Sequence, residues 1–294
     1  MRPVSTIVRR EMTISTNEPL AQAESGGAKD RPAREAVVAL FFGPLAYRLA
    51  LALRPLRVPP PAVVLANGAA GFAAAIAVSQ DAVVAAAILL QLKTLLDNAD
   101  GRLARLSGRV TRLGRFLDTD VDLLVNVALF VALGSLTGQP WLSLAAFLAL
   151  TILLSVSFNA SALYREAHGA PSALPAPTGS AAERAVEGFY RVVFGPQDRA
   201  VRGIVAKRLE RLTVTETDAS RRRQAALAYH DRATMAVLAN LGLSTQLAAL
   251  GACLVLGVPS VYLWLVLVAT ALLPLLDLRR EWLVREALRT PRAV

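Results

Sequence analysis

Long runs of alanine, leucine and valine, almost free of charge, restrict this chain more than any other feature of its sequence. About 20 apolar residues let a helix cross about 30 Å of hydrocarbon, and five runs meet that requirement directly. They lie at roughly Pro61–Ser79, Phe116–Leu136, Leu142–Tyr164, Ala233–Leu256 and Ser260–Leu278. A sixth, Ala82–Asn98, is apolar but carries Lys93 and runs into a group of acids. With no internal repeat and no period-two alternation, the expectation is an all-α polytopic membrane protein with six transmembrane helices.

Charge follows the same plan. The chain is 54% hydrophobic, yet its net charge is +10. The short connections at 79–81, 134–140 and 256–260 hold no lysine or arginine. Arg102, Arg105, Arg109, Arg112, Arg115, the arginine-rich stretch before Ala233, and Arg279, Arg280, Arg285 and Arg289 all fall on the opposite side. This is the positive-inside asymmetry, which places both termini in the cytoplasm. It also gives the basic charge a cause other than nucleic acid, which is not expected as a partner. Abundant alanine, and arginine in place of lysine, point to a bacterial cell membrane. Met1–Glu18 lacks a signal-type apolar stretch, and the single cysteine, Cys253, reads as an inert thiol within a span.

Outside the spans, residues 1–34 read as a disordered cytoplasmic arm. Residues 35–57, interrupted by Gly43, Pro44, Arg48 and Arg54, read as an interfacial helix. Pro59, Pro60 and Pro61 then turn the chain into the first span. The span domain covers 58–280, with a cytoplasmic insert of two or three short helices at 166–232, and 281–294 form a cytoplasmic tail.

The chemistry is concentrated at the second and third spans. Asp97 and Asp100, with Ala104, repeat at helical spacing and share one face; Asp118 and Asp122 share a face of the next helix. A short turn between the helices makes them antiparallel neighbours, so the four carboxylates converge near one membrane surface. Such acids repel one another and cost roughly 2.5–3.5 kcal/mol each at the bilayer centre. A hard cation relieves both problems. The two histidines, His168 and His230, lie outside the spans, which disfavours a histidine-based zinc site. Gly101 and Gly114 allow close approach to the backbone, and Arg105 offers a fork for a phosphate.

The stretch matches D-x2-D-G-x2-A-R-x8-G-x3-D-x3-D at every fixed position from Asp97 to Asp122. In this it resembles the CDP-alcohol phosphatidyltransferase family. The resemblance implies Asp97, Asp100, Asp118 and Asp122 as ligands of Mg2+ or Mn2+, with two ions. It implies Gly101, Ala104, Arg105 and Gly114 around the CDP moiety, and Asp122 as the catalytic base. The implied reaction transfers a phosphatidyl group from a CDP-linked lipid donor, commonly CDP-diacylglycerol, to a hydroxyl acceptor, releasing CMP in phospholipid biosynthesis. It also implies a homodimer and an active site facing the cytoplasm. Two departures bear on the acceptor: Leu123 follows the last motif aspartate where some members have a basic residue, and Ala62 follows Pro61 where many have asparagine.

Other polar residues have plainer readings beside functional ones. Asp120 faces away from Asp118 and reads as an outer or solvated acid. Lys93, one turn before Asp97, either balances the acids, lines an acceptor pocket or snorkels. Arg109, Arg112 and Arg115 suit lipid headgroups, and Asn126, Asn159, Asn240 and Gln246 suit hydrogen bonds between spans. Two rival functions stay open. A cation transporter would want acids spread through the membrane depth, and a non-catalytic membrane scaffold would leave the motif spacing unexplained.

Overall fold

The computed structural model describes residues 33, 35–170 and 174–289. Apart from Ala33, the expected N-terminal arm at 1–34 lies outside them, as does the end of the expected tail at 290–294. Secondary structure among the described residues is entirely helical.

A π-helical turn, Val38–Phe42, leads into α1 (Gly43–Leu53). The two motif helices, α3 (Val83–Leu106) and α4 (Arg112–Thr137), follow α2 (Pro60–Ser79). After α5 (Pro140–Ala167) come three helices outside the expected spans, α6 (Ala181–Val193), α7 (Gly195–Leu212) and α8 (Ala219–Tyr229). The last four are α9 (Arg232–Asn240), α10 (Leu243–Val255), α11 (Pro259–Ala271) and α12 (Leu273–Arg289). Pro60, Pro140 and Pro259 each occupy the first position of a helix, where the missing N–H has no partner to lose.

Among the described residues, four helical runs are long and apolar enough to cross a membrane: Pro60–Ser79, Pro140–Ala167, Ala219–Val255 and Pro259–Arg289. At 24 and 26 residues, α3 and α4 have the length, but the motif charges lower their hydropathy. The core joins Leu90 of α3, Val125, Leu129 and Leu133 of α4, Leu150 and Leu153 of α5, Leu250 of α10 and Tyr262 of α11. The outer faces show Ile76, Ile88, Val131, Ile152, Leu265 and Val268, an apolar surface that calls for lipid rather than water.

Two expected spans are interrupted. The Ala233–Leu256 segment breaks at Leu241–Gly242. Gly242 is the N-cap of α10 and has no side chain to cap it; Glu35 supplies the carboxylate instead, accepting from Thr245 N at 2.9 Å and Thr245 Oγ1 at 3.1 Å. Next to it, Ala36 N donates to Asn240 Oδ1 at 2.8 Å. The Ser260–Leu278 segment breaks at Leu272, because Pro274 cannot donate to a preceding turn and its ring crowds the carbonyl four residues back.

Candidate functional site

The turn between α3 and α4 brings the acids together. Ser107 and Gly108 end α3, and Arg109 N bonds to Ala104 O at 2.9 Å. Gly108 has φ of 65°, a left-handed conformation that favours glycine. Thr111 then caps α4 by accepting from Gly114 N at 3.1 Å.

Above this turn Asp97, Asp118 and Asp122 each offer one carboxylate oxygen, all within 4.8 Å of one another. Asp100 is buried beside them but is not one of this close group. Asp100 Oδ2 and Asp118 Oδ1 are buried acceptors without a hydrogen-bond partner. Asn67 of α2 donates from Nδ2 to Asp97 Oδ1 at 3.4 Å. The counter-charge is Lys93, wholly buried, with Nζ 2.5 Å from Asp122 Oδ1. One ammonium against four motif carboxylates leaves the cluster strongly negative. Hard oxygen donors with unfilled acceptor atoms are what a divalent cation requires, so the residues fit the metal that the motif implies.

Small residues make this proximity sterically possible. A Cβ on Gly68 would lie 2.6 Å from Val121 Cγ1, and one on Gly71 would lie 2.5 Å from Val125 Cγ1 and 3.2 Å from Lys93 Cδ. The glycine face of α2 therefore admits both the valines flanking Asp122 and the stem of Lys93. Of the residues expected around CDP, Arg105 lies against Gly101, where a Cβ would meet Nη1 at 3.4 Å. Ala104 is half-buried on the same helix, and Gly114 sits at the capped start of α4, at the other end of the turn.

Asp120 is buried with Oδ1 unpartnered, outside the close group, so the solvated alternative does not hold. Asn159 donates from Nδ2 to Asp198 Oδ1 at 2.7 Å, and Tyr190 donates its hydroxyl to Asp198 Oδ2 at 2.9 Å. Burial and the neighbouring Asp198 push the Tyr190 phenol up, which keeps the hydroxyl a donor. Tyr190 also packs on Phe116, and Arg112 pairs with Glu187 at 2.7 Å. Thus α6 is bound to the start of the helix carrying Asp118 and Asp122, and α7 joins it through Asp198, which also holds α5. Arg112, expected at lipid headgroups, is engaged in this contact. Asn67 and Glu35 were not anticipated. Asn67 had a signal, a lone amide in an apolar span; Glu35 had none.

Residues 57–183 match the model of a known family, CDP-alcohol phosphatidyltransferase. That stretch of the chain is similar to the family, and it supports the resemblance that the motif carries. No curated protein and no solved structure matches it. The match takes in α2 to α5 and every motif residue, ending within α6. Proteins of that family move a substituted phosphate from a CDP-alcohol to an alcohol acceptor, and the apolar helical runs of this chain suit a membrane protein of that kind.

Proposed function

We propose that the chain transfers a phosphatidyl group from a CDP-linked lipid, CDP-diacylglycerol, to a hydroxyl acceptor in phospholipid biosynthesis. The observation carrying this reading is the convergence of Asp97, Asp118 and Asp122 beside the end of α3 that carries Gly101 and Arg105. The acceptor oxygen attacks the phosphorus bearing the lipid, the bond to CMP breaks, and the hydroxyl proton passes to Asp122. Lys93 donates to Asp122 Oδ1, and on this reading Oδ2 takes the acceptor proton. Arg105 holds the diphosphate from the side of Gly101, with Ala104 and Gly114 bounding the CDP moiety. Two Mg2+ or Mn2+ ions, held by Asp97, Asp100, Asp118 and Asp122, would supply charge neutralisation of the diphosphate.

On this reading α3 and α4 are also spans, giving six. The 35–57 segment lies in the interface, where exposed Leu40, Phe41 and Leu45 enter lipid. The positive-inside rule then puts the acids at the cytoplasmic face of a bacterial membrane, with α6–α8 as a cytoplasmic insert; the homodimer rests on the family resemblance alone.

The test is CMP release by the full chain in nanodiscs containing CDP-diacylglycerol, with Mg2+ or Mn2+ and pooled alcohol acceptors. Metal-dependent release that disappears in Asp118→Asn is expected. Release that persists in a folded Asp118→Asn protein, or that ignores the metal, would overturn the assignment.

A further inference from the structure

A second group of buried polar side chains lies in the half of the chain beyond the family match. Tyr229, His230 and Arg280 are 0%, 4% and 3% exposed. With Arg208 and Asp277 they line a cavity of about 130 Å3 whose remaining wall is aliphatic, from Val156 to Leu163 on α5 and from Val201 to Val205 on α7. The polypeptide leaves much of its polar edge unsatisfied. Tyr229 and Arg280 interact with each other through their side chains, but the Tyr229 hydroxyl, His230 Nδ1, and both Nε and Nη2 of Arg280 lack a well-aligned hydrogen-bond partner.

The arrangement of charge is specific. Asp277 accepts from Arg208 Nη1 at 2.8 Å through one oxygen and meets Arg280 Nη1 at 3.5 Å through the other. Two guanidinium groups thus share one lining carboxylate; the next acid, Glu281, stands 3.9 Å from Arg208. The Arg280 guanidinium lies over the Tyr229 ring, 5.3 Å from its centroid. Its Nε and Nη2 atoms form the edge of the fork that grips two oxygens of one anion, and a buried donor without an acceptor costs free energy. Among the groups lining the cavity, positive charge exceeds negative.

We propose that this cavity binds a phosphate group, supplied by the headgroup of an anionic lipid or by a soluble phosphate ester. Arg280 takes two phosphate oxygens through its fork, and Tyr229 donates its hydroxyl to the same group. The aliphatic wall receives the carbon chain attached to the phosphate. Its position suits a headgroup, because α5 is a membrane-crossing run and the cavity flanks its last turns, where α7 and α8 pack. The site is separate from the acids of α3 and α4. The charged neighbours of His230 are Arg280, His168 and Glu166, and those of Tyr229 are Asp277, Arg280 and Arg208.

The experiment is native mass spectrometry of the full chain in detergent, titrated with phosphatidylglycerol or with diacylglycerol, which has the same chains and no phosphate. Glycerol 3-phosphate is added in a second arm. The expected result is retention of phosphatidylglycerol over diacylglycerol, weakened about tenfold or more by Arg280→Gln and measurably by Tyr229→Phe. Asp118→Asn leaves retention unchanged. Displacement by glycerol 3-phosphate at micromolar concentration would identify the soluble ester as the source; no displacement would identify the lipid. Equal retention of both lipids with no effect of glycerol 3-phosphate would overturn the proposal. So would phosphate-dependent retention that survives Tyr229→Phe and Arg280→Gln, or that is lost in Asp118→Asn. Tyr229→Phe removes one oxygen and keeps the ring, so it decides the matter should Arg280→Gln fail to fold.

Discussion

Replacing Lys93 with methionine keeps most of the buried stem and removes the ammonium that lies 2.5 Å from Asp122. Asp122 is then left, 19% exposed, beside Asp97 and Asp118 with no cation. Breaking a buried pair by deleting one partner costs about 3–5 kcal/mol. At about 2–4 °C per kcal/mol, the metal-free protein should melt roughly 6–20 °C lower. Asp122→Asn removes only the nearest partner of the buried Lys93, which still faces Asp97 and Asp118, and should cost less. The double variant removes both charges and should recover part of the loss, for a coupling of about 1.5–3 kcal/mol. The assay is thermal unfolding of all four proteins in one detergent, with chelator and with Mg2+. Mg2+ should restore more stability to Lys93→Met than to the wild type, because the added cation takes the place of the missing ammonium. A coupling below about 0.5 kcal/mol in chelator would refute the pairing, since independent sites add to within that margin.

Gly71→Ala places a methyl 2.5 Å from Val125 Cγ1 and should cost about 1–3 kcal/mol by overpacking; Val125→Ala in the same chain should return part of the melting temperature. Gly108→Ala meets no neighbouring atom but keeps φ at 65°, so a loss of about 1–2 kcal/mol is expected from conformation alone, read as a lower melting temperature. Asp198→Ala removes the acceptor shared by Asn159 and Tyr190, and hydrogen exchange should rise in both α6 and the first turns of α4. Unchanged exchange at α4 would mean that the two helices are not mechanically linked.

The acidic site was legible because it is a matter of helical spacing. Residues three or four apart share a face, and a short turn must fold α4 back along α3. Asp100 shows the limit of that argument: at 3.6 residues per turn it points about 60° away from Asp97 and lies one turn further along, so the close group forms without it. The helix breaks had local causes in Gly242 and Pro274, but hydropathy averages across them. Glu35 could not be placed, because its partner Thr245 is 210 residues away and nothing in either neighbourhood names the other. Tyr229, His230 and Arg280 read in sequence as the polar flanks of spans. Only the packing of α5, α7 and α12 around them turns a flank into an interior.

The acidic cluster has an unusually short reach along the chain. Lys93 is 29 residues from Asp122, and Asn67 is 30 from Asp97, so carboxylates, counter-charge and supporting amide all come from three consecutive helices. Closing loops of that size costs little entropy. A ribosome that has just delivered α4 to the membrane has already supplied every side chain of the cluster, with more than half of the polypeptide still to be made. The later helices add walls, a break pinned by Glu35, and the Arg280 cavity. A substitution in those later helices can therefore leave the hairpin that gathers the acids undisturbed.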